Sequence, residues 1–154
     1  MCYLLYDVVS TQTVPGMRYS QAEALIKTLL ADKTFELLSL EDRKRITKRI
    51  LDEIKGRMLE DIVLLETKLA NKNKSVFQLQ FAIGEFDMVV ADEEHATSEI
   101  FEIKHSNART PEQYKHLVDK NKCAATEFRY GKITRKSVLY RGETCKDGDI
   151  DYIN

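Results

Sequence analysis

The sequence predicts one α/β domain in which helices pack on a mixed β-sheet. Helical apolar periodicity dominates the first half of the chain, three β-type segments follow, and a further helix precedes another strand. The chain has 154 residues, of which 43% are hydrophobic and 32% charged, as in ordinary globular proteins. Its net charge of −1 provides no overall basic field, so any DNA contact has to use a local patch.

The cysteines and the N-terminus indicate a cellular compartment. Cys2, Cys123 and Cys145 are widely spaced and form no CxxC pair, which is typical of a reducing interior. The opening MCYLLYDVV lacks a basic region and contains Asp7, so it does not have the pattern of a signal peptide or anchor. We therefore expect a soluble cytoplasmic protein that does not associate with membranes.

An N-terminal lead-in is expected over residues 1–38. Residues 3–9 predict a short strand, and TVPG at 13–16 has turn chemistry. A helix is then expected to start at Ser20, where Ser and Glu have capping-box spacing, and to end near Asp32.

The predicted core, 39–154, opens with a long helix within the same compact domain. Ser39 is a candidate N-cap, the helical pattern continues to about Ala70, and Gly56 is a candidate break between two helices. The predicted apolar stripe consists of Ile46, Ile50, Ile54, Met58, Ile62, Leu65 and Leu69.

Strands and one helix are expected in the second half of the chain. Alternating apolar residues predict strands at 76–81, twice within 84–106, at 136–142 and at the final IDYIN. Between them, Thr110 is a candidate N-cap followed by proline, and the helix that it starts is expected to run to about Phe128.

Three charged residues interrupt the two strands of GEFDMVVADEEHATSEIFEIKHS. Glu102 and Lys104 share a face of their strand because side chains alternate. A turn centred between Glu94 and His95 would place Asp87 opposite Glu102. A slip of one residue would instead move Asp87 to the other face, so the cluster requires one register.

Two carboxylates beside an ammonium are the chemistry of a hard divalent cation site. Carboxylate oxygens suit Mg²⁺ or Mn²⁺, and such an ion can activate water and neutralise charge on a phosphodiester. In that interpretation Lys104 orients or deprotonates the water, or holds the phosphate. The alternative is an ordinary amphipathic hairpin in which Lys104 forms a cross-strand salt bridge.

GEFDMVV followed by IFEIKHS resembles the core of the PD-(D/E)xK nuclease superfamily, which has a restriction-endonuclease-like mixed sheet flanked by helices. The upstream helix of these proteins carries a glycine followed by a glutamate, which resembles Gly56 and Glu60 in KGRMLEDIVLLETK. The combined motifs, with PGMRYSQAEALIK, are similar to the C-terminal nuclease-like domain of prokaryotic AAA+ ATPases. The resemblance covers about Pro15 to Gly142.

The resemblance implies a metal-dependent deoxyribonuclease with Mg²⁺ or Mn²⁺ as cofactor and DNA as partner. Asp87, Glu102 and Glu60 would bind the metal, and Lys104 would assist catalysis. Gln113, in TPEQYKHL, would correspond to a glutamine that some of these nucleases carry on the following helix.

The resemblance leaves two alternatives open. Glu66 competes with Glu60 as the upstream acid, because Glu66 lies within the predicted apolar arc while Glu60 has the glycine spacing. No Walker A motif is present, so we expect a detached or C-terminal part of an AAA+ ATPase. The alternative to an active nuclease is a catalytically inactive nuclease-fold module that binds protein or DNA.

The three histidines show no pattern of a metal site. His95, His105 and His116 lack zinc spacing and are expected to be structural or surface residues.

Overall fold

A computed structural model describes residues 24 and 26–154 of the chain. As the sequence predicts, the architecture is α/β: helices accompany a six-stranded mixed sheet in the described residues. The chain divides into two compact units, Met1–Ile54 and Lys55–Asn154, and the sheet belongs to the second. The expected boundary between residues 38 and 39 stays a prediction.

The first unit is helical where it is described. The predicted strand at 3–9, the turn at 13–16 and the capping box at Ser20 lie outside the described residues. Residues 26–31 are helical, in agreement with the expected first helix. A short helix, α1, follows at Lys33–Glu36.

Helix α2 spans Leu40–Ala70. Its start is fixed by Ser39, whose hydroxyl oxygen accepts a hydrogen bond from the Asp42 backbone N–H at 3.1 Å, as the capping signature predicts. The predicted division at Gly56 is wrong because a single glycine costs only about 1 kcal/mol in a helix and no proline accompanies it. Within the described residues, no helix is both long and apolar enough to cross a bilayer.

The apolar face of α2 differs from the predicted stripe over the part of the helix that lies in the second unit. Ile62, Leu65 and Leu69 remain 50%, 58% and 64% exposed. The side chains that pack against the buried residues of the sheet are Leu59, Val63 and Leu64. The predicted stripe is therefore wrong here: the helix face is set by its contacts with the sheet, and a simple repeat in the sequence does not report those contacts.

In the part of the chain that the structure describes, six strands form the sheet, in the order β1-β2-β3-β4-β6-β5. Their bounds are Ser75–Gln80 for β1, Glu85–Asp92 for β2, Thr97–Ile103 for β3, Lys132–Leu139 for β4, Cys145–Asp147 for β5 and Ile150–Ile153 for β6. Strand β4 is parallel to both β3 and β6, and the other neighbours are antiparallel. The sequence pattern does not predict the short β5. It predicts that β4 starts at residue 136, four residues after the observed start at Lys132, because the first half of β4 is mostly polar.

The predicted continuous helix from Thr110 to Phe128 is wrong. The chain forms a 3₁₀ turn at Pro111–Gln113, and the next helix, α3, begins only at Lys120 and ends at Tyr130. The Asp119 carboxylate accepts hydrogen bonds from the first backbone N–H groups of α3, at 2.9 and 3.2 Å. This N-cap starts a new helix and explains the break.

Apolar side chains cover both faces of the central strands. Val89 and Ile100 belong to a buried cluster that also contains Leu117, at the approach to α3. Their strand neighbours, including Met88 and Phe101, belong to a second cluster, on which α2 packs. Because strand side chains alternate, Asp87 and Glu102 lie at the end of the face that carries Val89 and Ile100.

Candidate functional site

The β2–β3 register brings the two predicted acids together. Met88 pairs with Phe101, and Asp92 pairs with Thr97 at the turn. The same register, extended by one position, places Asp87 opposite Glu102. The predicted register is thus confirmed, and with it the convergence of the two carboxylates on one face.

Lys104 joins the two carboxylates. Its Nζ donates hydrogen bonds to Asp87 Oδ2 at 2.9 Å and to Glu102 Oε2 at 2.7 Å. The backbone N–H of Ile103 also donates to Asp87 Oδ2, at 2.7 Å. Asp87 and Glu102 are only 7% and 3% exposed. Two buried carboxyl groups and one partly exposed lysine ammonium group therefore form a cluster, and Asp87 is fixed by both a side chain and the backbone.

Glu102 is the incompletely satisfied member of the cluster. Its Oε1 is buried and has no hydrogen-bond partner among the described residues. Burial, followed by the nearby charge of Asp87, raises the pKa of Glu102 to about 8, although Lys104 acts in the opposite direction. The carboxyl group therefore stays protonated to a higher pH than an ordinary glutamate, and its Oε1 lacks a partner among the described residues.

The two acids keep Lys104 charged. Burial alone would lower the pKa of Lys104, but the charges of Asp87 and Glu102 outweigh that effect and raise it above its usual value. Lys104 is therefore an ammonium group at neutral pH. In this arrangement it is a hydrogen-bond donor and a positive charge rather than a base.

Glu60, on α2, lies at the edge of the cluster. Arg57 Nη1 donates to both Glu60 Oε2 and Glu85 Oε1, each at 3.2 Å. Burial, then the charge of Asp87, raises the pKa of Glu60 to about 7. Glu66 is an exposed residue, so the geometry favours Glu60 as the upstream acid.

Gln113 has a local role in the loop after β3. Its Nε2 donates to the Ala108 carbonyl at 2.8 Å, and its Oε1 accepts from the Thr110 backbone N–H at 3.2 Å. Both ends of the amide therefore close the loop at 108–113. These contacts do not connect Gln113 to Asp87, Glu102 or Lys104.

Two residues near the cluster were not singled out as functional from the sequence. Lys122 Nζ lies 2.7 Å from His116 Nδ1, and the charges of Lys104 and Asp87 both act on His116. The sequence predicts that His116 is structural or at the surface, and no motif distinguishes Lys122. Their approach depends on the break between the 3₁₀ turn and α3, which the helical pattern concealed.

The fit of a divalent cation rests on Glu102 and Asp87. The unpartnered Glu102 Oε1 and the adjacent Asp87 carboxylate are hard oxygen donors of the kind that Mg²⁺ and Mn²⁺ prefer. In residues 24 and 26–154, however, no group of three or more His, Cys, Asp and Glu side chains is arranged to hold a metal ion. Asp87 and Glu102 thus offer two donor groups, Glu60 does not extend them to the predicted three-ligand group, and an ion held there would need its other ligands from water or substrate.

Comparisons of the chain with protein-family models, curated proteins and solved structures give no match. A functional assignment for this chain therefore depends on its fold and on the chemistry of Asp87, Glu102 and Lys104.

The pKa of Glu102 predicts that stability depends on pH. Because the folded protein holds the Glu102 proton from about 4.5, the ordinary value, up to about 8, the free energy of unfolding should fall as pH rises through this window. Glu102→Gln cannot lose a proton, so its stability relative to the original protein should rise by roughly 3 kcal/mol from about pH 5 to about pH 8. Urea unfolding at both pH values measures this difference, and a difference that does not change with pH would contradict it.

Proposed function

We propose that the protein is a metal-dependent deoxyribonuclease with a restriction-endonuclease-like fold of the PD-(D/E)xK type. The single observation that carries the proposal is the contact of the partly buried Lys104 with two buried acids, Asp87 and Glu102, at the ends of adjacent strands. Burying such a cluster is expensive, and a well-packed apolar core of the same volume is often at least as stable. A catalytic role explains why the three groups lie there.

Asp87 and Glu102 would hold Mg²⁺ or Mn²⁺, with Glu60 as an outer acid. A bound ion of this kind neutralises charge that develops on a phosphodiester and lowers the pKa of a coordinated water molecule. Asp87 is prepared for this role, since the Ile103 N–H and Lys104 fix its orientation. Glu102 supplies the oxygen that has no protein partner.

Lys104 and Glu60 would have separate roles in the reaction, one as a hydrogen-bond donor and the other as a proton acceptor. Since Lys104 stays protonated, it would donate a hydrogen bond to a phosphate oxygen or orient the attacking water. Glu60, with a pKa of about 7, is suited to accept a proton near neutral pH. Arg57 holds the Glu60 carboxyl in place through the contact at 3.2 Å.

A second candidate is a nuclease-fold module without catalytic activity, which would bind DNA or a protein such as an AAA+ ATPase. One observation favours it: Lys104 already forms ion pairs with Asp87 and Glu102, at 2.9 and 2.7 Å, where a metal ion would compete. In this case the cluster would be a structural salt bridge, and DNA would be bound without a metal requirement.

Incubation with plasmid and branched DNA, in Mn²⁺ or in a chelator, distinguishes the two candidates. The proposal expects cleavage only with Mn²⁺ and none by Glu102→Gln. The matched control Glu99→Gln, on the same strand but partly exposed beside Arg135, should cleave normally. Metal-independent cleavage, or equal cleavage by Glu102→Gln, would reject the assigned site.

A further inference from the structure

Lys122 is a buried lysine in the first turn of α3. It is 8% exposed, and its Nζ lies 5.2 Å from the centre of the Phe81 ring. The first turn of α3 contains no acidic residue, so only the Asp119 cap moderates the positive end of the helix dipole there. Lys122 thus adds a positive charge at a place that is already electropositive.

Among the described residues, no carboxylate neutralises Lys122. Within the described part of the chain, its Nζ contacts His116 and the Phe81 ring but forms no ion pair with Asp or Glu. A buried charge without a counter-ion is costly, and a cation–π contact returns only about 2 kcal/mol. An anion bound beside Lys122 would supply the missing charge.

His116 presents a second donor at the same place. A lysine ammonium can only donate, so the His116 Nδ1 at 2.7 Å is the acceptor, and the proton of the neutral ring lies on Nε2. Burial, then the charges of Lys122, Lys115 and Lys104, lowers the pKa of His116, so the neutral ring is favoured. Lys122 and His116 therefore form a donor pair whose members fix each other.

Gly84, just before β2, is a backbone position that lies close to Lys122 and His116. It has a φ of +73°, and a Cβ at this position would lie 2.7 Å from His116 Cε1 and 3.0 Å from Lys122 Nζ. The glycine thus allows the backbone just before β2 to approach the donor pair. Asp87 lies three residues further along the same segment.

We propose that Lys122, oriented by His116, binds a phosphate oxyanion of the DNA backbone next to the one that is cleaved. The inference rests on the proposed nuclease function and adds a residue that positions the substrate. The positive charge has no carboxylate counter-ion within residues 24 and 26–154, and it lies on the α3 side of the sheet, the same side as Asp87. A backbone phosphate at this point would accept a hydrogen bond from Lys122 Nζ, while His116 Nδ1 holds that ammonium group in place.

The decisive variant is Lys122→Met, which keeps the apolar stem and removes the charge. Duplex DNA binding by the full chain is measured in chelator over a range of salt concentrations, together with the urea stability of each variant. Lys122→Met should weaken binding about tenfold and reduce the slope of log affinity against log salt by about 0.9, the contribution of one phosphate contact. Its stability should equal or exceed that of the original protein. The control Lys120→Gln removes an exposed lysine from the same helix turn, and it should change the slope less than Lys122→Met does.

The outcomes separate this inference from the nuclease proposal. If the predicted loss of binding occurs in a protein that never cleaves DNA, the phosphate site stands and the nuclease proposal fails. If Mn²⁺-dependent cleavage and DNA binding are unchanged in Lys122→Met, the phosphate site is rejected and the nuclease proposal stands. Destabilisation by Lys122→Met with unchanged DNA binding would assign Lys122 a structural role and also reject it. Thermal stabilisation by inorganic phosphate without DNA binding would overturn the nucleic-acid assignment.

Discussion

Replacing Lys104 with alanine is expected to lower Mn²⁺-dependent DNA cleavage by about 10³-fold, within the range typical of a group that positions or transfers protons in the transition state. The ammonium group is held by Asp87 and Glu102, so its position is fixed before substrate arrives. The alanine variant keeps both acids but loses the donor that they orient. Initial cleavage rates of a labelled duplex, at saturating Mn²⁺, measure the effect.

The fold should survive the Lys104→Ala change. Without the ammonium, Asp87 and Glu102 can share a proton, which the raised pKa of Glu102 already favours. Thermal unfolding of the variant therefore serves as the folding control, and the exposed Lys132→Ala serves as the matched lysine control. Cleavage by folded Lys104→Ala at the rate of Lys132→Ala would remove Lys104 from the mechanism.

Asp87→Ala is expected to cost about 3 kcal/mol in the free energy of unfolding, a large share of the stability of a domain of this size. Asp87 Oδ2 accepts from both the Ile103 N–H, at 2.7 Å, and Lys104 Nζ, at 2.9 Å. Alanine would leave a buried backbone donor unsatisfied and deprive Lys104 of one of its two counter-ions. Urea denaturation near neutral pH measures the loss.

Asp92→Ala is the matched control for this stability experiment. Asp92 also lies on β2, and it pairs with Lys74 at 3.7 Å and His95 at 3.0 Å near the surface. Exposed pairs of this kind contribute about 1 kcal/mol or less. Equal losses in the free energy of unfolding for Asp87→Ala and Asp92→Ala would show that the Asp87 contacts stabilise the fold no more than surface pairs do.

The hairpin register was predictable because it follows from the turn alone. A centre between Glu94 and His95 fixes every facing pair, and the structure has that register. The meeting of Asp87, Glu102 and Lys104 could therefore be read from the sequence. Gln113 could not be placed in the same way, since its position depends on loop hydrogen bonds that no periodicity describes.

Packing accounts for the parts of the fold that the sequence did not predict. On α2, the predicted stripe and the face of Leu59, Val63 and Leu64 are both apolar, and only contact with the sheet selects the second. The break before α3 depends on the Asp119 cap, a signal that lay within a continuous helical pattern. The pairing of Lys122 with His116 follows from that break, so it was hidden as well.

Calorimetric titration of Mn²⁺ into the protein and its Glu102→Gln variant tests the proposed metal site. We expect one bound ion per chain, with affinity at least tenfold lower in Glu102→Gln, because the unpartnered Glu102 Oε1 is assigned as a metal ligand. The Glu99→Gln control should bind like the original protein. Absence of Mn²⁺ binding, or equal binding by Glu102→Gln, would contradict the account and leave Asp87, Glu102 and Lys104 as a buried structural ion cluster.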